Sequence, residues 1–216
     1  MGGAGYLPSA MESGQRRWNL NIHYHRVVLD SIPADATTAL DIGSGNGLLS
    51  FDLAAQGLQV VGIDPDEASI ERARSDPACS DRTTFLHGDV FRHPFAAGSF
   101  DLVTASAMLH HVDAVDGLRR MVELVRPGGV VAIVGFANPS GPLDWALIVA
   151  GYFARTARVV TGRYWDHHAP IRWPPPLTID EMRALAGSEM PGATFKRRMA
   201  HRYSIVWSRP ITPTSR

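Results

Sequence analysis

The chain has 216 residues, 45% of them hydrophobic, which suits one globular domain with a sizeable core. Twenty-one Lys plus Arg balance 21 Asp plus Glu, and a formal net charge of zero argues against a dedicated nucleic-acid binder. The single cysteine, Cys79, excludes an internal disulfide and any multi-cysteine zinc site.

Residues 1 to 15 are rich in glycine and small side chains and read as a disordered tail, with one domain over 16–216. No apolar core of signal-peptide length stands at the N-terminus. The longest apolar run, Trp145 to Ala154, is about half of a membrane span, so the expectation is a soluble cytoplasmic protein. Gln15 to Ile32 reads as a helix stopped by Pro33. Within it, His23 and His25 lie about 200° apart and cannot share a metal ion; no metal site is expected.

Thr38 to Ile42 is an apolar strand that runs into Gly43-Ser44-Gly45-Asn46-Gly47 and then a helix over Leu48 to Gln56, with Gly57 as its C-cap. Glycine suits such a turn because it tolerates positive φ and lets backbone approach a ligand. Leu58 to Ile63 is a second strand ending at Asp64, followed by a helix from Asp66 to Arg74. Thr83 to Leu86 is a third strand, closed by Gly88-Asp89-Val90, and Phe100 to Ala105 a fourth, closed by Ser106. Asp113 to Val125 is an amphipathic helix with Leu118, Met121, Val122 and Val125 on one face. Pro127-Gly128-Gly129 then turns the chain into the strand Val130 to Gly135. Five strands alternating with helices imply right-handed crossovers and a mostly parallel sheet.

Residues 136 to about 192 break the pattern and read as a substrate or lid insertion. They hold an apolar helical run, Leu143 to Val160, and a loop from Tyr164 to Pro176 containing Trp165, His167 and His168. A capping box, Thr178 to Glu181, opens a helix that ends at Gly187. Ala193 to Met199 and Tyr203 to Trp207 are two strands, expected to pair antiparallel.

The loop after the first strand departs from the dinucleotide fingerprint, since Leu48 stands where the third glycine belongs. Asp41 ahead of the glycines would repel a phosphate and suits a ligand with an ammonium or sulfonium. Asp64, at the tip of the second strand, can accept hydrogen bonds from vicinal ribose hydroxyls. Asp89 stands where a carboxylate could take an adenine amino group, and Ser106 faces the same sheet edge.

With these motifs in register, the sequence resembles the class I S-adenosylmethionine-dependent methyltransferases over residues 20 to 135 and again at the terminal strand pair. The residues that carry the resemblance are Ala39 to Gly47, Val61 to Pro65, Gly88 to Val90, Phe100 to Ser106 with Leu109-His110-His111-Val112, and Val125 to Gly129. It implies an α/β, Rossmann-like fold with helices on both faces of a seven-stranded, mostly parallel sheet of order 3-2-1-4-5-7-6, strand 7 antiparallel. It further implies that Asp41 and the backbone of Gly43, Ser44, Gly45 and Gly47 hold the methionine end of S-adenosyl-L-methionine. Asp64 would take the ribose, Pro65 and Val90 the adenine face and edge, and Asp89 the adenine amino group, with Ser106 near the cofactor ammonium. Asn21, Tyr24 and His25 are lid candidates, and Trp165, His167 and His168 acceptor-side candidates. His111 and His110 are candidates for a general base, against a packing role. The Leu-His-His-Val element is similar to the ubiquinone- and menaquinone-type branch, so the expected activity is methylation of a small-molecule acceptor at O, N or C. A non-catalytic cofactor-binding subunit and a nicotinamide-dependent oxidoreductase remain as alternatives, and both a monomer and a homodimer fit.

Overall fold

In a computed structural model, the described residues are 19–161 and 174–211, with the short ladder that Met11–Glu12 makes with Gln15–Arg16. Seven strands form one sheet: β1 (Thr38–Ile42), β2 (Gln59–Asp64), β3 (Thr83–His87), β4 (Phe100–Ser106), β5 (Val125–Phe136), β6 (Thr194–Arg198) and β7 (Arg202–Ser208). Their order is 3-2-1-4-5-7-6, and only β7 runs against its neighbours β5 and β6. This is the topology implied by the resemblance. The helices are α1 (Leu20–Leu29), α2 (Leu48–Ala55), α3 (Glu67–Ser75), α4 (Ala114–Leu124), α5 (Pro142–Val160) and α6 (Ile179–Glu189).

Side chains alternate across a strand, and in β1 this alternation decides the chemistry. Leu40 and Ile42 enter the core shared with α4 and α6, whereas Ala39 enters the core built by Tyr24 and Val28 of α1 and Leu49 and Leu53 of α2. Asp41, between Leu40 and Ile42, therefore points to the α1 and α2 face, and it is buried there. A carboxylate in such a place needs a partner.

Several boundaries differ from the sequence expectation, most of them by one residue; the first helix also ends early, at Leu29 and not Ile32. The first helix begins at Leu20 instead of Gln15, because Asn19 caps it: its side-chain oxygen accepts the Asn21 and Ile22 amides at 2.9 Å. Strand β5 begins at Val125, since the Pro127-Gly128-Gly129 segment is absorbed as a bulge between the pairs Phe100–Val125 and Leu102–Val130. Helix α6 runs past Gly187 to Glu189, while its capping box forms as expected.

The amino edge of the sheet is locked by Asp101. One of its oxygens accepts the Thr37 and Thr38 amides, each at 2.8 Å, and both threonine hydroxyls. The other accepts the Arg126 guanidinium, which also reaches Asp35 at 2.8 Å. Burial alone would raise the Asp101 carboxyl, but Arg126 and these donors outweigh it and hold the group well below the usual carboxylate range. Among the described residues no helix is long and apolar enough to cross a membrane. Leu143, Trp145, Val149 and Phe153 of α5 are exposed, whereas Ile148 and Gly151 face the body of the protein.

Candidate functional site

At the carboxyl edge of β1, β2 and β4, where open α/β sheets bind ligands, lies a cavity of about 1180 Å³. Its floor is the glycine turn after β1. The Gly43 and Ser44 amides donate to the Ile63 carbonyl at 2.8 and 3.2 Å, and the Gly45 amide donates to Asp64 Oδ2 at 2.9 Å. Asp64 Oδ1 accepts the Asp66 amide at 2.8 Å. Asp64 thus ties the turn to the end of β2, and the following helix is capped by Asp66, which accepts the Ser69 amide.

The glycines divide the work. Gly45, at φ +51°, has nothing within 4 Å of where a Cβ would stand and leaves backbone open to the cavity. Gly47, at φ +80°, is absent from the wall; a Cβ there would come 2.6 Å from Phe85 Cζ and 2.9 Å from Phe51 Cζ. Its small size serves packing under the turn. Gly43 makes room for Met108, which follows β4.

Asp41 Oδ2 accepts the Ser50 hydroxyl at 2.7 Å, and Asp41 Oδ1 is buried with no partner among the described residues. Burial pushes this carboxyl up to about 6, against the Ser50 hydrogen bond and the nearby His25 charge, which pull it down. An orphaned buried carboxylate oxygen is what a cationic group on a ligand would satisfy. The donor set therefore fits the ammonium end of S-adenosylmethionine. Pro65, Val90 and Ser106 line the same cavity, as does Asp89 at its rim, where Oδ1 accepts the Phe91 amide at 2.9 Å.

The opposite wall comes from distant parts of the chain. It contains Asn21 and His25 of α1, His110 and His111, Phe136, Tyr152 and Arg155 of α5, and Ala200 to Arg202. His110 and His111 form one 3₁₀ turn, their ring centroids 4.0 Å apart, with His110 buried against Phe136 at 5.1 Å and His111 exposed. Arg202 lies over the Phe136 ring at 4.3 Å and donates to Asn21 Oδ1 at 2.8 Å. Ala107, Ala200 and His201 have φ of 57°, 55° and 61°; these are the non-glycine residues with positive φ among the described residues, and all three line the cavity. Such strained backbone gathers at functional sites.

The cavity thus unites Asn21, His25, Asp41, Gly43, Ser44, Gly45, Asp64, Pro65, Asp89, Val90, Ser106, His110 and His111. Tyr24 is not brought to it: its ring is buried between α1 and α2, and its hydroxyl accepts the Met199 amide at 3.0 Å. Trp165, His167 and His168 fall outside the described residues. Sequence reasoning missed Ser50, Asp52, Phe136, Tyr152, Arg155 and the Ala200 to Arg202 corner, because no local spacing links them to the glycine turn. No cluster of three or more His, Cys, Asp or Glu side chains able to hold a metal occurs among the described residues.

Comparison with known proteins agrees with this geometry. The family described as "Methyltransferase domain" matches residues 40–133. An uncharacterized methyltransferase of Mycobacterium tuberculosis (strain ATCC 25618 / H37Rv) is 34% identical over 195 residues, covering 90% of this chain and 98% of that one. A demethylmenaquinone methyltransferase of Beutenbergia cavernae is 37% identical over 140 residues, 62% of this chain and 54% of its own length. Among solved structures, a SAM-dependent methyltransferase from Aquifex aeolicus shares the fold with a TM-score of 0.59, at 13% identity over 89% of this chain and 92% of that one. Sheet order, glycine turn and relatives agree, and the chain belongs to the class I S-adenosylmethionine-dependent methyltransferases.

Proposed function

We propose that the enzyme methylates a small, partly apolar acceptor held beside the cofactor in one continuous cavity. The observation that carries this reading is the size and composition of that cavity. At about 1180 Å³ it exceeds the 300–1,000 Å³ typical of a site for one drug-sized ligand, and so has room for a donor and an acceptor. The wall away from the glycine turn mixes Phe136 and Tyr152 with Arg155, Arg202 and the two histidines. The Beutenbergia relative acts, by its name, on demethylmenaquinone, which favours an aromatic or quinone-type acceptor.

S-adenosylmethionine supplies a methyl group already activated on a sulfonium, so transfer needs alignment and a dry cavity more than acid–base assistance. In this reading Asp41 takes the cofactor ammonium, with Ser106 close by, and the open backbone at Gly45 lets the ligand lie against the turn. Asp64 accepts the ribose hydroxyls while holding the Gly45 amide. Pro65, Asp89 and Val90 surround the adenine. For an O–H or N–H acceptor, His111, the exposed member of the pair, takes the departing proton, and buried His110 fixes the ring beside it.

Titration calorimetry with S-adenosylhomocysteine tests the donor half, and absence of binding by the wild type would sink the reading. Formation of S-adenosylhomocysteine from the methylated cofactor, assayed across phenols, carboxylates and amines, tests the acceptor half. Tight cofactor binding with no turnover on any small acceptor favours the non-catalytic alternative.

A further inference from the structure

His25 and Asp52 form a pair that the roles above leave unused. His25 lies on α1 and Asp52 on α2, 27 residues apart, and both are buried. His25 Nδ1 stands 2.7 Å from Asp52 Oδ2. A carboxylate accepts only, so Nδ1 carries the proton in that contact, and the ring is fixed in plane with Nε2 at its far end. The ring lines the cavity. Its charge also acts on Asp41, where it opposes the upward push of burial. The pair therefore sits within electrostatic reach of Asp41. Burying an Asp–His pair between two helices whose other contacts are Tyr24, Val28, Leu49 and Leu53 brings little stability over an apolar pair of the same size. Its presence in that core calls for a ligand.

The amino-acid end of S-adenosylmethionine carries both an ammonium and a carboxylate. Asp41, with its orphaned Oδ1, answers the first. Nothing assigned so far answers the second except backbone amides. We propose that His25, protonated on both ring nitrogens when the cofactor is bound, donates its Nε2–H to the cofactor carboxylate, and that Asp52, accepting from Nδ1, is the positioning residue that aims the ring and balances its charge, so that Asp41 and His25 clamp the two charges of the same amino-acid group. This rests on the S-adenosylmethionine-binding site described above and adds the side chains that read the carboxylate. It also separates His25 from base catalysis, because a group engaged with the cofactor carboxylate is not offered to the acceptor.

Three ligands measured by titration calorimetry test the assignment: S-adenosylhomocysteine, its decarboxylated analogue, and 5′-methylthioadenosine, which lacks the whole amino-acid end. In the wild type, loss of the carboxylate should weaken binding about tenfold or more, the scale of one charge-assisted hydrogen bond. In His25→Ala the decarboxylated analogue and S-adenosylhomocysteine should bind alike, with 5′-methylthioadenosine held as tightly as by the wild type. His25→Gln, whose amide N–H can still reach a carboxylate, should restore part of the difference. Asp52→Asn should reduce it while leaving 5′-methylthioadenosine unaffected. The proposal is overturned if the wild type binds the first two ligands equally. It is equally overturned if His25→Ala and His25→Gln keep the full preference for the carboxylate, or if His25→Ala keeps S-adenosylhomocysteine affinity and loses only turnover, which makes His25 a base. Should His25→Ala fail to fold, the wild-type ligand pair together with His25→Gln and Asp52→Asn decide. Failure of the wild type to bind S-adenosylhomocysteine at all would count against the site reading itself.

Discussion

Replacing Asp41 with Asn separates the demands of folding from those of binding. An ordinary Asp carboxyl titrates near 3.8, and burial raises Asp41 to about 6. That difference corresponds to about 3 kcal/mol against the ionised form once both folded and unfolded states are charged. The sign follows from the raised value. Below about pH 4 both states are protonated and the stability contribution is fully present. Between about 4 and 6 the unfolded chain ionises while the folded one keeps its proton, and the contribution is lost as pH rises through about 6. Asn cannot ionise, keeps an oxygen for the Ser50 hydroxyl, and places its amide where Oδ1 now lacks a partner. Ligand-free Asp41→Asn should therefore match the wild type near pH 4 and exceed it by about 2 kcal/mol at pH 8, after allowing for the weaker neutral hydrogen bond. Urea unfolding should show this as a midpoint about 1 M higher at pH 8. The same variant should bind S-adenosylhomocysteine more weakly, and wild-type affinity should fall as pH drops below about 6, where Asp41 must lose a proton to meet the ammonium. A lower urea midpoint at pH 8, together with unchanged ligand affinity, would refute both halves of the argument.

Asp64→Ala should weaken S-adenosylhomocysteine binding by about 2–3 kcal/mol, read by calorimetry, since it removes the proposed ribose acceptor and the anchor of the Gly45 amide together. Asp101→Asn, far from the cavity, should lower stability by about 2–4 kcal/mol in urea unfolding at pH 7 without altering ligand affinity. Because the folded Asp101 carboxyl is depressed, its contribution is present above the unfolded value of about 4 and is lost as pH falls below that; the variant's deficit should shrink in acid. Gly47→Ala should cost about 1–3 kcal/mol of stability through the Phe51 and Phe85 rings. Gly45→Ala, with open space at its Cβ, should cost only the about 1 kcal/mol of left-handed backbone strain at φ +51° and otherwise act on ligand affinity; equal effects of the two on both assays would contradict the division described for the turn.

The central sheet was legible because its signals are local. Thr38 to Ile42 is bounded by a glycine turn, and the strand occupies those five residues. The residues at the carboxyl ends of the strands, Asp41, Asp64, Asp89 and Ser106, reach one cavity because parallel strands place their ends along one edge. Tyr24 illustrates the limit. Its neighbours Asn21 and His25 face the cavity, but one helical step turns Tyr24 into the core, a distinction that depends on where α1 docks. The His25–Asp52 pair was likewise invisible, since only the packing of α1 on α2 brings residues 27 positions apart together. The bulge at Pro127 to Gly129 was read as a turn because glycine and proline serve both.

The cavity has two walls of different ancestry along the chain. The wall on the glycine-turn side comes largely from the stretch Asp41 to Met108, held by contacts between neighbouring strands and turns. The facing wall is closed by α1 and by the corner before β7, joined by the Arg202 hydrogen bond to Asn21 across 181 residues and by the Met199 bond to Tyr24 across 175. Contacts of such separation carry the largest loop-closure cost and form late in folding. They also make the facing wall separable. Exchanging α1 together with the segment from Phe136 to Arg202 would change the wall that faces the glycine turn, His25 included, while that turn keeps its own supports. The facing wall can therefore be redesigned without touching the glycine turn, provided that the first and last parts of the chain are redesigned as a pair.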